Sequence, residues 1–306
     1  MSHDNGTGAL KRGPFPEWIR ETRRPALMPP AGSCDCQFHI YGDPQKYPPK
    51  RRPLYDPPNA TFEDMKRVLS ILGLDRGVIV YPMPYDTDNT LLFDVLRSLD
   101  VNDRARFKAV CIVKDEVSDR EILDLKEIGV VGARFNIGKR WMEGASKESV
   151  RRNLERTRDL GLHARLHIAP EDLDEWGSVL RSVNGLTYII DHMGSIDPTQ
   201  GVNQPAMRWY LDVLKDENWF MMISNGNRHS SMDFGWDDVI PFGKTFVEHC
   251  PRKLVWGTDW PHVAWRKPMM NDAEPLELFY RYIDNDAVLM REILVQTPAM
   301  LHGFAT

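Results

Sequence analysis

The chain has 306 residues, of which 42% are hydrophobic and 27% charged, and 39 basic residues against 44 acidic ones leave a formal charge of −5. This composition is that of an ordinary soluble globular protein, and its mild acidity argues against a surface built to neutralise nucleic-acid phosphates. We therefore expect a small-molecule partner, and neither nucleic acid nor a membrane. The four cysteines lack C-x-x-C spacing, and no apolar run of signal-peptide length opens the chain, which together favour a cytoplasmic protein.

Short apolar runs alternate with longer amphipathic segments along the chain, a pattern typical of βαβ units. The amphipathic segments at 62–72, 149–160 and 173–183 predict helices. The apolar runs predict eight strands, at 35–40, 77–81, 107–113, 130–135, 163–168, 186–190, 219–224 and 253–256. Eight alternations favour an α/β fold of the (β/α)8 TIM-barrel class over residues 31–306, with a C-terminal helical tail at 275–304. Residues 1–30 form a predicted N-terminal arm, which would suit the subunit interface of a homo-oligomer.

The alternative fold is a doubly wound open sheet. If such a sheet bound a dinucleotide, a glycine-rich turn would follow its first strand. The chain instead continues Tyr41-Gly42-Asp43-Pro44, without a G-x-G-x-x-G pattern. The barrel is therefore the preferred prediction.

Polar side chains follow several of the predicted strands, at the end where a barrel carries its active site. The two-residue period of a strand places Asp35, Gln37 and His39 of strand one on one face. The other polar strand ends are Arg134 and Asn136 on strand four, Arg165 and His167 on strand five, His192 after strand six, Arg228 after strand seven, and Asp259 and His262 after strand eight. A lone histidine at a strand end is usually structural, but three histidines and an aspartate at four strand ends predict a catalytic rim.

These segments resemble the amidohydrolase superfamily. The resemblance is carried by Asp35-Cys36-Gln37-Phe38-His39, Asp191-His192-Met193-Gly194 and Trp256-Gly257-Thr258-Asp259-Trp260-Pro261-His262, and it runs from about Pro30 to Thr297-Pro298-Ala299. Gly132-Ala133-Arg134-Phe135-Asn136, followed by Lys139-Arg140, resembles the stretch with which the 2-pyrone-4,6-dicarboxylate lactonase branch binds substrate carboxylates. The resemblance implies a hydrolase that opens a carboxylated lactone, such as a pyrone dicarboxylate, a muconolactone or a sugar-acid lactone, in aromatic-compound or sugar-acid catabolism.

Two positions depart from the family pattern. Gln37 stands at the first position of the family's His-x-His, and His167 stands where the pyrone lactonases carry a tyrosine. An amide oxygen is a weaker partner for zinc than imidazole, and the resembled branch works without metal, so we expect no catalytic metal. If a single divalent ion, zinc or manganese, binds, its expected ligands are Gln37, His39, His167 and Asp259.

Ester opening requires an activated water and a polarised carbonyl. Asp259 is the expected general base, while His39 and His192 would donate hydrogen bonds to the carbonyl oxygen and His167 would orient either partner. The alternative role for Asp259 is that of a helix N-cap. The following Trp260-Pro261-His262 does not favour this role, because it does not open an obvious helix.

Two arginines are the expected carboxylate ligands, because a guanidinium fork matches a carboxylate and keeps its charge. They are Arg134 and Arg140, with Arg228 as a weaker candidate because it lies about one position from the family's arginine. An arginine inside a barrel can instead pair with a structural acid, which we expect above all of Arg165. The remaining expected substrate contacts are Gln37, Asn136, Tyr55, Tyr85 and His262.

Three other functions are compatible with these residues. A zinc-dependent decarboxylase of an aromatic or muconate-type acid would use the ends of strands one, five, six and eight, as related barrels do. A lactone isomerase is closer in mechanism, since it also attacks or re-forms an ester. A catalytically silent binding protein is suggested only by Gln37. Stoichiometric zinc would favour the decarboxylase.

Overall fold

The computed structural model describes residues 15–50, 55–138 and 146–305. Eight parallel strands pair in sequence order: β1 (Cys34–Phe38), β2 (Arg76–Val80), β3 (Phe107–Ile112), β4 (Val130–Asn136), β5 (His163–His167), β6 (Tyr188–Ile190), β7 (Trp219–Met222) and β8 (Leu254–Val255). Hydrogen bonds from Cys36 N to Trp256 O (2.9 Å) and from His39 N to Trp260 O (2.8 Å) join β1 to the chain around β8 and close the ring. The predicted barrel is confirmed, and each predicted strand forms within two residues of its expected bounds.

Helices connect the strands and cover the barrel. They are α1 (Phe62–Leu72), α2 (Thr90–Ser98), α3 (Val101–Arg106), α4 (Asp119–Glu127), α5 (Lys147–Asp159), α6 (Leu173–Arg181), α7 (Pro205–Val213), α8 (Gly226–His229), α9 (Ile240–His249), α10 (Ala273–Tyr282), α11 (Ala287–Arg291) and α12 (Thr297–His302), with a π-helical segment at Glu292–Gln296. A capping box of Thr61 and Asp64 starts α1, and Gly73 ends it with a φ of 77°. The three predicted helices and the helical tail are confirmed.

Alternation along the strands divides the apolar core into two parts. One set of side chains, including Ile79 and Phe38, packs between the barrel and the helices. The other set, including Cys36, Val78 and Val255, fills the barrel interior together with residues of the C-terminal tail. The interior near β4 and β5 is polar instead, because Arg134 of β4 and Arg165 and His167 of β5 point into it.

A β-bulge in β1 changes which of its side chains reach the interior. Asp35 pairs with Gly77 and Phe38 pairs with Ile79, so three steps along β1 match two along β2. The prediction that Asp35 shares a face with Gln37 and His39 is therefore wrong. The buried carboxylate of Asp35 instead accepts hydrogen bonds from Thr258 N (3.0 Å) and Thr258 Oγ1 (2.6 Å), tying β1 to the segment after β8.

Residues 18–23 lie against the segment that follows β8. The ring of Trp18 meets that of Trp260 edge to face, with centroids 4.9 Å apart. Thr22 Oγ1 donates a hydrogen bond to Asp272 Oδ2 at 2.9 Å, and Arg23 pairs with Glu277 at 2.6 Å. Among the described residues, no helix has the length and apolar composition needed to cross a bilayer.

Candidate active site

Asp259 follows β8 and lies at the centre of a buried polar cluster at the carboxyl end of the barrel. Its Oδ2 accepts hydrogen bonds from Asn225 Nδ2 at 2.7 Å and from Arg228 Nη2 at 3.2 Å. Its Oδ1 lies 3.3 Å from Gln37 Nε2 and 3.2 Å from His39 Nε2. Both carboxylate oxygens are thus surrounded by nitrogen atoms from the end of β1, from the residue that follows it and from the segment after β7.

Burial alone would raise the pKa of Asp259, but the polar and charged groups of His192, His39 and Arg228 outweigh burial and hold that pKa well below its usual range. Asp259 is therefore an ionised carboxylate at neutral pH. Such a group can accept a proton only while another bond is forming, as a general base does in a transition state.

Two histidines flank this carboxylate. His39 Nδ1 donates a hydrogen bond to the carbonyl of Val80 at 2.7 Å, which leaves Nε2 facing Asp259. His192 Nε2 lies 3.8 Å from Asp259 Oδ1, and its Nδ1 lies 3.2 Å from Ser224 Oγ. Burial lowers the pKa of His192 well below its usual value, so this ring is neutral at pH 7.

His167, at the end of β5, lies beside His192 with ring centroids 5.4 Å apart and nearly perpendicular planes. Burial, followed by the positive charge of Arg134, lowers the pKa of His167 to about 3. The structure therefore brings together the four predicted catalytic residues, with two of the histidines neutral.

The backbone holds three of these positions in the left-handed region. The φ angles are 56° at His192, 60° at Asn225 and 60° at Asp259, which lie in the segments that follow β6, β7 and β8. Non-glycine residues seldom adopt this conformation, and when they do they are often found where function requires a fixed side-chain direction. The local strain supports a functional role for the cluster.

Arg134 projects from β4 and is only 6% exposed. Its Nη1 donates to the carbonyl of Tyr81 at 3.2 Å, and its buried Nε has no hydrogen-bond partner among the described residues. No carboxylate in the described ranges lies within ion-pairing distance of this guanidinium. Desolvation of an unpaired charge is costly, so an anion that reached this guanidinium would be stabilised by it.

Arg228 lies in α8, where Nη1 donates to the carbonyl of Val263 at 3.2 Å and Nη2 contacts Asp259. The guanidinium carbon lies 5.3 Å from the centroid of the Trp265 ring, within cation–π range. About a quarter of the Arg228 side chain is exposed. It is therefore a cation that an incoming anion can reach.

The two tyrosines predicted as substrate contacts, Tyr55 and Tyr85, pack against other aromatic side chains. Tyr55 is half-buried, its hydroxyl lies 2.7 Å from that of Tyr41, and burial raises its pKa to about 12. Tyr85 accepts a hydrogen bond from Gly42 N at 3.2 Å and stacks on Tyr81. Tyr85 therefore belongs to a group of aromatic rings with Tyr41 and Tyr81.

Asn136 ends β4, and its buried Oδ1 has no partner among the residues described. His262 is buried and its Nε2 lies 2.9 Å from Asp272 Oδ1, the carboxylate that also binds Thr22. Arg140 lies outside the described residues. The structure brings Gln37 and Arg228 to the cluster, whereas Tyr55 contacts Tyr41 and His262 contacts Asp272 in the segment that precedes α10.

Three groups of the site escaped prediction from the sequence. Asn225 contacts Asp259, Ser224 contacts His192, and His229 Nε2 lies 3.1 Å from the carbonyl of His192. Burial lowers the pKa of His229 to about 4. Asn225 comes directly after the predicted seventh strand, so the strand-end rule that identified Arg228 could have found it.

Arg165 was predicted, but one of its contacts was not: its Nη2 donates to Gln37 Oε1 at 2.6 Å. Arg165 also forms an ion pair with Asp191 at 2.7 Å, with both side chains fully buried, so the expected structural ion pair is confirmed. The sequence offers no signal that Arg165 reaches Gln37 across the barrel.

The donor set does not fit a metal ion. Gln37 turns its NH2 toward Asp259, because its oxygen accepts from Arg165. Metal ligands must offer lone pairs, whereas Gln37, Asn225 and Arg228 fill the space around this carboxylate with N–H groups. In the described part of the chain, no three His, Cys, Asp or Glu side chains are grouped so as to hold a metal ion.

A (β/α)8 barrel with a buried carboxylate, histidines and arginines at the carboxyl ends of its strands has the layout of a barrel enzyme. The family model described as Amidohydrolase matches residues 34–304, and the chain belongs to this family.

Three similar proteins illustrate this membership. A 4-sulfomuconolactone hydrolase of Hydrogenophaga intermedia is 29% identical over 280 residues, covering 90% of each chain. A 2-pyrone-4,6-dicarboxylate hydrolase of Comamonas testosteroni is 28% identical, covering 94% of this chain and 95% of its own. A crystal structure described as a probable 2-pyrone-4,6-dicarboxylic acid hydrolase of Acinetobacter baumannii, with citric acid bound, has a TM-score of 0.78 at 22% identity and covers 89% of this chain and 100% of its own. This last likeness concerns the fold alone.

Proposed function

We propose that this chain opens a carboxylated lactone by hydrolysis, with Asp259 as the base that activates water. The observation that carries the proposal is the presence at one rim of a buried carboxylate, Asp259, and a buried cation, Arg134, that has no carboxylate partner in the described ranges. The two charges lie near successive backbone carbonyls, because His39, which contacts Asp259, donates to Val80 O at 2.7 Å and Arg134 donates to Tyr81 O at 3.2 Å. The names of the two curated relatives support a lactone as the substrate class.

In this mechanism the ionised Asp259 takes a proton from water as the water oxygen attacks the lactone carbonyl. The new carbon–oxygen bond forms while the carbonyl oxygen gains negative charge, and the ring ester bond then breaks. Asp259 returns the proton to the departing ring oxygen. The low pKa of Asp259 keeps it unprotonated over the working pH range, as a general base must be.

The carbonyl is polarised by hydrogen-bond donors rather than by a Lewis acid. His192 and His39 are the proposed donors to the developing oxyanion, each from Nε2, and His167 orients His192 from the side. Because His39 Nδ1 already gives its hydrogen to Val80 and His192 Nε2 faces the NH2 of Gln37, this role requires a hydrogen on Nε2 of each ring in the substrate complex. Low polarity in a buried site strengthens each such hydrogen bond. The N–H groups around Asp259 support a metal-free mechanism, and a single zinc or manganese ion is the alternative that metal analysis distinguishes.

The arginines select the substrate. Arg134 binds one carboxylate of the lactone, and Arg140 is proposed to bind the same or a second one. Arg228 now pairs with Asp259 and is partly exposed, so a substrate anion can draw it away from the base. Loss of that positive neighbour raises the basicity of Asp259 when the substrate is bound.

The deciding experiment is turnover of a panel of mono- and dicarboxylated lactones in ¹⁸O-labelled water, with metal analysis on the same sample. Hydrolysis predicts a ring-opened acid that carries one ¹⁸O atom in its new carboxylate. Release of carbon dioxide together with stoichiometric zinc would identify a decarboxylase. A rearranged lactone without ¹⁸O would identify an isomerase, and either result refutes the proposal.

A further inference from the structure

The barrel interior beside Asp259 contains a charged pair that solvent does not reach. Arg165 and Asp191 are both completely buried, and Arg165 Nε donates to Asp191 Oδ1 at 2.8 Å. Arg165 Nη1 donates to the carbonyl of Cys36 at 2.9 Å. The guanidinium is thus held from two sides, by the residue before His192 and by the backbone of β1.

The same guanidinium determines the orientation of the Gln37 amide. A guanidinium has only donors, so the group that meets Arg165 Nη2 at 2.6 Å must be the oxygen of the amide. The NH2 group then faces the other way, 3.3 Å from Asp259 Oδ1 and 3.1 Å from His192 Nε2. The charge of Arg165 makes this orientation stronger than a neutral hydrogen bond would.

We propose that Arg165, anchored by Asp191, is a positioning residue that fixes Gln37 with its NH2 toward Asp259 and His192. The proposal rests on the function proposed above for Asp259. Without Arg165, the amide can make a half turn and present its oxygen to Asp259, where two oxygen atoms repel each other. The carboxylate then loses one of the donors that fix the direction of its lone pairs toward water.

The kinetic test is a double-mutant cycle between the ion pair and Gln37. The pair is removed as Arg165→Met with Asp191→Asn, so that no uncompensated charge stays buried. We expect kcat to fall about ten- to a hundredfold with KM nearly unchanged, because a small misplacement of a catalytic group costs up to about a hundredfold. Gln37→Met should cause a similar loss.

The combined variant then decides whether the pair acts through Gln37. If it does, adding the pair substitutions to Gln37→Met lowers kcat by no more than about threefold further, since the two changes remove the same interaction. Losses that multiply fully would mean that Arg165 acts independently of Gln37, and the proposal would be overturned.

A second readout needs no turnover. In ¹⁵N-histidine spectra, the His192 signal is assigned by its absence in His192→Asn. It should shift in the pair variant and in Gln37→Met alike, because both alter the group beside Nε2. An unshifted signal in the pair variant refutes the positioning role. A chain without lactonase activity would refute the proposed function and leave this readout intact.

The matched control is an arginine–aspartate pair in the outer helical layer. Arg156 of α5 pairs with Asp119 of α4 and also donates to the carbonyl of Lys114 at 3.2 Å. Arg156→Met with Asp119→Asn should leave both kcat and the His192 signal as in the wild type, with melting temperatures recorded for all variants. If the control changes kcat or the signal as much as the Arg165 pair does, the effect is general destabilisation and the proposal fails.

Discussion

Replacing Arg134 by methionine should lower catalytic efficiency without destabilising the fold. The guanidinium is buried, donates once to Tyr81, and has no carboxylate partner in the described ranges. A charge-assisted hydrogen bond contributes roughly 1.5 to 3 kcal/mol, so loss of the contact to a substrate carboxylate should lower kcat/KM by about ten- to a hundredfold. The free energy of unfolding should rise or stay unchanged, because the variant no longer buries an unpaired charge.

The assay is kcat/KM on pairs of lactones that differ by one carboxylate, with urea unfolding of the same samples. The loss should appear for the lactone that carries the matching carboxylate and vanish for its partner. Arg165→Met provides the matched control. It leaves the buried Asp191 carboxylate without its ion-pair partner and should lower the free energy of unfolding by about 3 to 5 kcal/mol. An equal loss of kcat/KM on both lactones, together with a lower free energy of unfolding for Arg134→Met, would show that Arg134 is structural.

Three further results are expected. Asp259→Asn should lower kcat by about two to four orders of magnitude with the fold retained, and more than about a tenth of wild-type kcat would exclude Asp259 as the base. Chelation and dialysis should leave turnover unchanged, whereas activity lost and then restored by zinc or manganese would overturn the metal-free mechanism. Burial lowers the pKa of His302 to about 3, so only the unfolded chain takes up this proton as the pH falls below about 6.5. From pH 7 to pH 5, His302→Leu should therefore lose about 2 kcal/mol less unfolding free energy than the wild type.

Much of the candidate site could be predicted because a parallel barrel brings strand ends to one rim. His39, His167, His192 and Asp259 each lie near the end of a predicted strand, and they meet in the structure. The predicted face of Asp35 was wrong, because the two-residue period holds only for a regular strand and a bulge inserts one extra residue. A bulge depends on the neighbouring strand, so the sequence of β1 does not reveal it.

The sequence by itself determined the eight strands, the amphipathic helices and the family, because hydrophobic period and short motifs are local properties. Only the tertiary structure decided what each polar group does. Gln37 is a hydrogen-bond donor to Asp259 because its amide oxygen accepts a hydrogen bond from Arg165, 128 positions away along the chain. Arg228 became a neighbour of Asp259 by a contact across 31 positions. The role of a buried polar atom depends on its partner, and partners distant in sequence are chosen by the fold.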